Sequence, residues 1–319
     1  MPLVASSFKP AWYLRNADLQ TILPALFRNV GGIHFSRERI TTPDEDFLDV
    51  DWIHHPSKKV ALLIHGLEAS TKSNYIKGMA KTLHHNGWNV AAMNLRGITH
   101  ERHQLRRTYH SGATEDVDIV IKHLLNKNRF IEMALIGFSL GGNLVVKYTG
   151  ECGEQIDSRI KKAIGISVPC DLNSTAYHLD SSAKKIYRNR FLRSLKGKLI
   201  GLRQRLPFQL SEKEVRNIKT LVEYDDRFTA PMYGFKNAED YYEQCSSKKF
   251  IAGVKIPLLI LTAKDDPFFT HESLPFDECT HHPLVQLETP DYGGHVGFMI
   301  THPWGKYYSE VRTLQFLGS

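Results

Sequence analysis

Apolar positions along the chain change rhythm near residue 60. Residues 32–55 alternate apolar and polar around a turn signal at Thr42-Pro43-Asp44, which predicts an antiparallel pair of strands. From Val60 the alternation gives way to short unbroken apolar runs. Val60–Ile64, Asn89–Met93, Ile131–Ile136, Lys162–Val168, Ile256–Leu261 and Val285–Glu288 have the length and composition of buried strands. Helical periodicity fills the gaps at Ser73–Asn86, after Thr114, at Asn143–Tyr148 and at Pro303–Phe316. In the second of these Val117, Ile121, Leu124 and Leu125 share a face. Thr114 reads as its cap, with Glu115, Asp116 and Asp118 in the first turn, and Asn126 to Asn128 end it.

From Asp171 to about Phe250 the alternation stops. A strandless stretch of that length is too long for a loop in a compact domain, so it reads as an inserted, mostly helical cap over 171–250, with a helix at Ser211–Val222. The core is then 1–170 with 251–319. Buried strands alternating with helices predict an α/β fold: a mostly parallel central sheet with helices on both faces. The chain contains no internal repeat and no low-complexity tract.

Composition narrows this only slightly. The chain has 319 residues, 42% hydrophobic and 24% charged, which suits one large α/β domain carrying an insertion. No apolar run approaches the roughly 20 residues a bilayer span needs. Met1–Pro10 lacks a charged-then-apolar signal pattern, so the expectation is a cytoplasmic protein without export. Cys152, Cys170, Cys245 and Cys279 are widely spaced and read as free thiols. The net charge of +7 is uneven: between Lys184 and Arg205 stand nine Lys or Arg and no acid. That run is either a solvated helical face or an attraction for an anionic partner, such as a phospholipid surface or an acidic substrate. No nucleic-acid-binding module accompanies it. The pairs His54-His55, His84-His85 and His281-His282 lack the spacing of a metal site.

Candidate chemistry sits at strand ends. Gly137-Phe138-Ser139-Leu140-Gly141 joins a strand to a helix, the context a Gly-x-Ser-x-Gly nucleophile elbow requires. The tight turn lifts the serine hydroxyl above the sheet, with a helix N-terminus beneath it that favours developing negative charge. A serine needs a base and a group to orient that base. The strand at Leu258–Leu261 runs into Asp265-Asp266-Pro267-Phe268, and the strand at Val285–Glu288 into Gly293-Gly294-His295. Either aspartate could orient His295. Asp266 is preferred for its offset from the strand end and for Phe268 two residues on, which leaves Asp265 as a turn former. An oxyanion hole needs two preorganised N–H donors. Leu140, directly after the nucleophile, supplies one, and Leu67 in the turn His65-Gly66-Leu67-Glu68-Ala69-Ser70 supplies the other, with His65 holding that turn.

With these residues in place the chain resembles the YheT-like branch of the α/β-hydrolase superfamily, which also contains mammalian membrane-anchored lipid hydrolases. The resemblance runs through Arg15-Asn16 with Leu19-Gln20-Thr21-Ile22, the His65–Ser70 turn, Arg96-Gly97, Tyr109–Gly112 with Thr114–Asp116, Gly137–Asn143, Ser167-Val168-Pro169, Asp225-Asp226, Tyr241-Tyr242, Ala263–Phe268 and Gly293–Phe298. It implies an α/β-hydrolase fold and the same Ser139, Asp266 and His295 as a catalytic triad. Departures from the family pattern fall at Ile98-Thr99-His100, His103 and Ala69, beside the expected pocket and outside the catalytic groups.

The expected function is therefore a serine hydrolase cleaving carboxylic esters through an acyl-enzyme, with no metal or organic cofactor. An acyltransferase using the same intermediate, or a silent hydrolase-fold binding module, are the alternatives. Tyr187, Phe191, Phe208, Phe228 and Tyr233 of the cap are candidate walls of an acyl pocket, and the 184–205 segment a candidate contact with anionic membrane.

Overall fold

In the computed structural model, residues 3–98, 108–202 and 211–318 are described; Thr99, His100, His103, Arg205 and Phe208 lie outside them. Nine strands form one sheet: β1 (Leu3–Val4), β2 (Ser36–Thr41), β3 (Phe47–Ile53), β4 (Lys59–Ile64), β5 (Asn89–Met93), β6 (Glu132–Phe138), β7 (Ile160–Ile166), β8 (Leu258–Leu261) and β9 (Val285–Glu288). Their order is β1-β9-β8-β7-β6-β4-β5-β3-β2. The pair β2–β3 is antiparallel, from Ser36 opposite Trp52 to Thr41 opposite Phe47, and β3 joins β5 antiparallel. All other pairings are parallel. This is the α/β-hydrolase fold expected from the sequence.

The unbroken apolar runs are explained by burial on two sides. Along β4, Leu62 and Ile64 enter one core while Ala61 and Leu63 enter the other, and all four are fully buried. Two helices, α3 (Thr114–Asn126) and α4 (Leu140–Cys152), cover the first face. The second is covered by α2 (Asn74–His85) and the closing helix (Tyr308–Gly318). Several boundaries differ from the sequence reading for local reasons. The strand β8 starts after Pro257, which has no N–H for the ladder, although its carbonyl still accepts from Ala163 at 2.9 Å. Thr114 is the first residue of α3 and not its cap; Ala113 holds that place, and the Thr114 hydroxyl turns to Glu151 at 2.7 Å. Asp116 faces inward, where it binds the buried Arg96 guanidinium together with Asp46. The closing helix begins at Tyr308, five residues later than expected.

Two N-terminal elements were absent from the sequence reading. The short β1 adds to β9 at the sheet edge. Helix α1 (Ala17–Phe27) is capped by Asn16, whose side chain accepts from the Leu19 amide at 3.0 Å.

Between β7 and β8 the described residues form helices and turns: α5 (Leu172–Asp180), α6 (Lys185–Leu202), α7 (Glu212–Asn217), α8 (Leu221–Tyr224), a π-type turn at Asp225–Thr229, α9 (Ala230–Tyr233) and α10 (Ala238–Cys245). The helix expected over Ser211–Val222 is broken. Ser211 and Glu214 form a capping box at its start, but Lys196 takes the carbonyls of Arg216 and Ile218 at its end. Asp180 then accepts from the amides of Leu221 and Val222 and restarts the helix. No helix among the described residues is long and apolar enough to cross a membrane.

Candidate active site

The carboxyl ends of β4, β6, β8 and β9 meet on one side of the sheet, the place where parallel sheets bind ligands. Ser139 sits between β6 and α4 at φ 52° and ψ −122°, a conformation that L-residues rarely adopt. The flanking glycines allow this turn. A Cβ on Gly137 would stand 2.1 Å from the Gly141 carbonyl, and one on Gly141 would stand 2.3 Å from the Ile64 carbonyl. Gly66 is equally constrained, since its Cβ would lie 2.9 Å from that of Ser139.

Ser139 Oγ lies 2.9 Å from His295 Nε2, and His295 Nδ1 lies 2.8 Å from Asp266 Oδ2. Asp266 is 4% exposed, and its other oxygen accepts from the Phe268 amide at 3.0 Å. The carboxylate takes the Nδ1–H, so Nε2 turns its lone pair toward the serine hydroxyl. The imidazole stacks on Phe268 at 4.0 Å and meets Phe269 edge-on at 5.4 Å, which fixes the plane of the ring. The chain thus brings together the three side chains chosen from their order in the sequence.

The loop bearing His295 is held from three directions. Its own amide donates to Thr21 Oγ1 of α1, the Val296 amide to Ser167 Oγ, and the Gly294 amide to Asp265 Oδ1, each at 2.9 Å. Asp265 is therefore the brace of the histidine loop, beyond the turn-forming place expected of it. Burial pushes its carboxyl up to about 6. Thr21 and Ser167 lie in segments that carried the family resemblance, yet nothing local in the sequence assigned them this contact.

At the neighbouring turn His65 is fully buried, with Nδ1 2.8 Å from the Gly66 carbonyl and Nε2 accepting from the Leu95 amide at 3.1 Å. Burial lowers its pKa to about 4, so the ring is neutral and ties the turn to the end of β5. The Gly66 amide donates to the Tyr75 hydroxyl, and the next residue, Leu67, lines the same cleft as Ser139. Leu140 opens α4, where backbone N–H groups have no intrahelical acceptor. Ala69 closes the turn through its amide on the Gly66 carbonyl.

Two spaces meet at Ser139. A narrow, mainly apolar cavity of about 130 Å³ runs beneath the helices of 171–250, walled by Leu172, Ala176, Leu179, Phe191, Phe228 and Tyr233 among others. Tyr187 is not part of this wall. It packs edge-on against Phe268 and bonds Asp18 of α1 at 2.6 Å. The other space is an open cleft bounded by Ser139, His295, residues of α1 and Arg190 of α6.

The sequence profile of the alpha/beta hydrolase fold family matches residues 60–300. YheT of Escherichia coli (strain K12) is 34% identical over 311 residues, covering 94% of this chain and 90% of its own. Phospholipase ABHD3 of Bos taurus is 27% identical, covering 93% of this chain and 74% of its own. The monoacylglycerol lipase of Saccharomyces cerevisiae is 29% identical over 84% of this chain and 60% of its own. Among solved structures, the Pyrococcus furiosus esterase Pf2001 superposes with a TM-score of 0.59 at 18% identity, covering 91% of this chain and 97% of that one, a likeness of fold. The chain belongs to the alpha/beta hydrolase fold family.

Proposed function

We propose that the protein is a serine hydrolase that cleaves carboxylic esters, with Ser139, His295 and Asp266 as its catalytic residues. The observation that carries this reading is the continuous hydrogen-bonded line from Ser139 Oγ through His295 to the buried Asp266. As Ser139 attacks the acyl carbonyl, His295 Nε2 takes its proton and Asp266 stabilises the imidazolium. The amides of Leu67 and Leu140 bind the oxyanion. His295 returns the proton to the leaving alcohol, the acyl group remains as an ester on Ser139, and water activated by His295 releases the acid. No step calls for a metal or organic cofactor.

The apolar cavity favours an acyl chain as the part of the substrate held beneath residues 171–250, which act as a cap on a core formed by 1–170 and 251–319. Relatives named phospholipase and monoacylglycerol lipase point to the same class, a small-molecule acyl ester or lipid. The basic 184–205 segment fits contact with an anionic membrane from which such a substrate is drawn.

Turnover of p-nitrophenyl acyl esters tests the assignment. Ser139→Ala abolishes it, along with labelling by a fluorophosphonate probe, while the circular dichroism spectrum is unchanged. Asp266→Asn lowers kcat by about 10⁴ because the imidazole loses its tautomer. Asp265→Asn weakens only the brace of the loop and costs far less. Comparable turnover in the Ser139 variant would refute the reading, and a larger loss at Asp265 would reassign the acid.

A further inference from the structure

Helix α1 carries apolar residues on its solvent side. Leu19, Ile22 and Leu26 recur at the spacing of one helical face and are 41%, 37% and 67% exposed, whereas Gln20 and Pro24 on another face are buried. Two further exposed aromatics stand nearby in the fold. Trp12 precedes α1, and the adjacent Tyr13 donates to the Thr301 carbonyl at 2.8 Å, which ties this segment to the one that carries the exposed Trp304. Tyr187 ties α1 to α6 through Asp18, the helix's one acid.

The charge of α6 selects the partner. Its exposed side presents Lys185, Arg190 and Arg193 around Ile186, and these three cations make no ion pair with any described residue. No acid occurs from Lys184 to Leu202. An apolar stripe fringed by unpaired cations matches an anionic lipid surface, where apolar side chains enter the interfacial layer and cations meet phosphate head groups. The open cleft lies between the same two helices, lined by Thr21 and Ala25 from α1, Arg190 and Ser194 from α6, and the Ser139 and His295 side chains.

We infer that this rim of α1 and α6 is the face by which the protein seats on an anionic bilayer, with its catalytic cleft opening onto the lipid. The inference extends the acyl-lipid reading above, because an ester drawn from that layer reaches Ser139 without passing through bulk water.

Flotation of the full chain with phosphatidylcholine vesicles, with and without phosphatidylglycerol, tests it. The Ser139→Ala background separates binding from chemistry. Binding to the anionic vesicles is expected, falling at high salt. Lys185→Gln and Arg193→Gln should each weaken it roughly fivefold, the worth of one surface cation. Leu26→Glu should abolish it, and in the Ser139-containing chain should leave hydrolysis of a soluble short-chain ester unchanged. Equal retention on neutral vesicles, or no retention, overturns the inference. So does concentration-dependent dimerisation that Leu26→Glu abolishes in the absence of vesicle binding, which would assign the face to a second copy. Failure of the catalytic reading is separate and would appear as an unlabelled Ser139.

Discussion

The Lys198 ammonium lies 2.6 Å from the Glu68 carboxylate and so joins α6 to the residue after Leu67. Glu68 adopts φ 53°, its amide donates to the Tyr109 hydroxyl at 2.9 Å, and that hydroxyl donates back to its carboxylate at 2.8 Å. Ser194 of α6 donates to the other carboxylate oxygen. A left-handed residue held this way fixes the direction of the preceding amide. Glu68→Gln should lower kcat by about ten- to a hundredfold through misplacement of the Leu67 N–H, with KM nearly constant. A fall in melting temperature with kcat unchanged would show a structural role only.

Gly66 also approaches Ser139 closely. In Gly66→Ala the added methyl would meet Ser139 Cβ at 2.9 Å and the Phe138 carbonyl at 3.3 Å, so the elbow must shift. Because this contact is made to the proposed nucleophile, the loss in kcat should far exceed the loss of stability. Chemical denaturation and ester turnover on one preparation compare the two, and an active Gly66→Ala enzyme would contradict the packing argument.

Ala176 forms part of the wall of the narrow cavity and is 7% exposed. Ala176→Phe should shorten the space for an acyl chain while leaving short esters good substrates. Each methylene that no longer fits removes about 0.8 kcal/mol, or roughly fourfold in kcat/KM. An acyl-length series of p-nitrophenyl esters reads this directly; an unchanged profile would mean that the chain lies elsewhere, in the open cleft.

Asp225 borders the same cavity, and burial raises its carboxyl to about 6 despite hydrogen bonds from Thr229 and Tyr242. The native protein therefore holds a proton that the unfolded chain releases at lower pH. Stability from this group is present below about pH 4 and is lost as pH rises to about 6. Asp225→Asn should flatten that descent, so its melting temperature gains on the native protein between pH 4 and 7. Parallel melting profiles would exclude Asp225 as the titrating group.

The sheet, its handover from antiparallel to parallel strands, and the convergence of Ser139, Asp266 and His295 were legible because each depends on local patterns. Two-sided burial writes unbroken apolar runs, and strand ends in a parallel sheet share a crevice. What was illegible depends on contacts between distant segments. Two residues, Leu3 and Val4, are too few to show alternation, so β1 left no signal. The break between α7 and α8 comes from Lys196 and Asp180, which belong to other helices. The braces of the histidine loop, Thr21 and Ser167, are common residues whose role appears only when α1 and the end of β7 pack beside it. Asn16, three residues before Leu19, was an available cap signal for α1.

The early and late parts of the chain are sewn to one another around His295. Gln20 binds the Met299 amide and carbonyl, Thr21 the His295 amide, Ser6 the Glu288 carboxylate, and Arg28 the Glu310 carboxylate. During synthesis the first segment leaves the ribosome long before its partners exist. His295 therefore acquires this setting only after the segment beyond β9 has been made and has met α1, and a nascent polypeptide interrupted before residue 295 would lack the base proposed for the reaction.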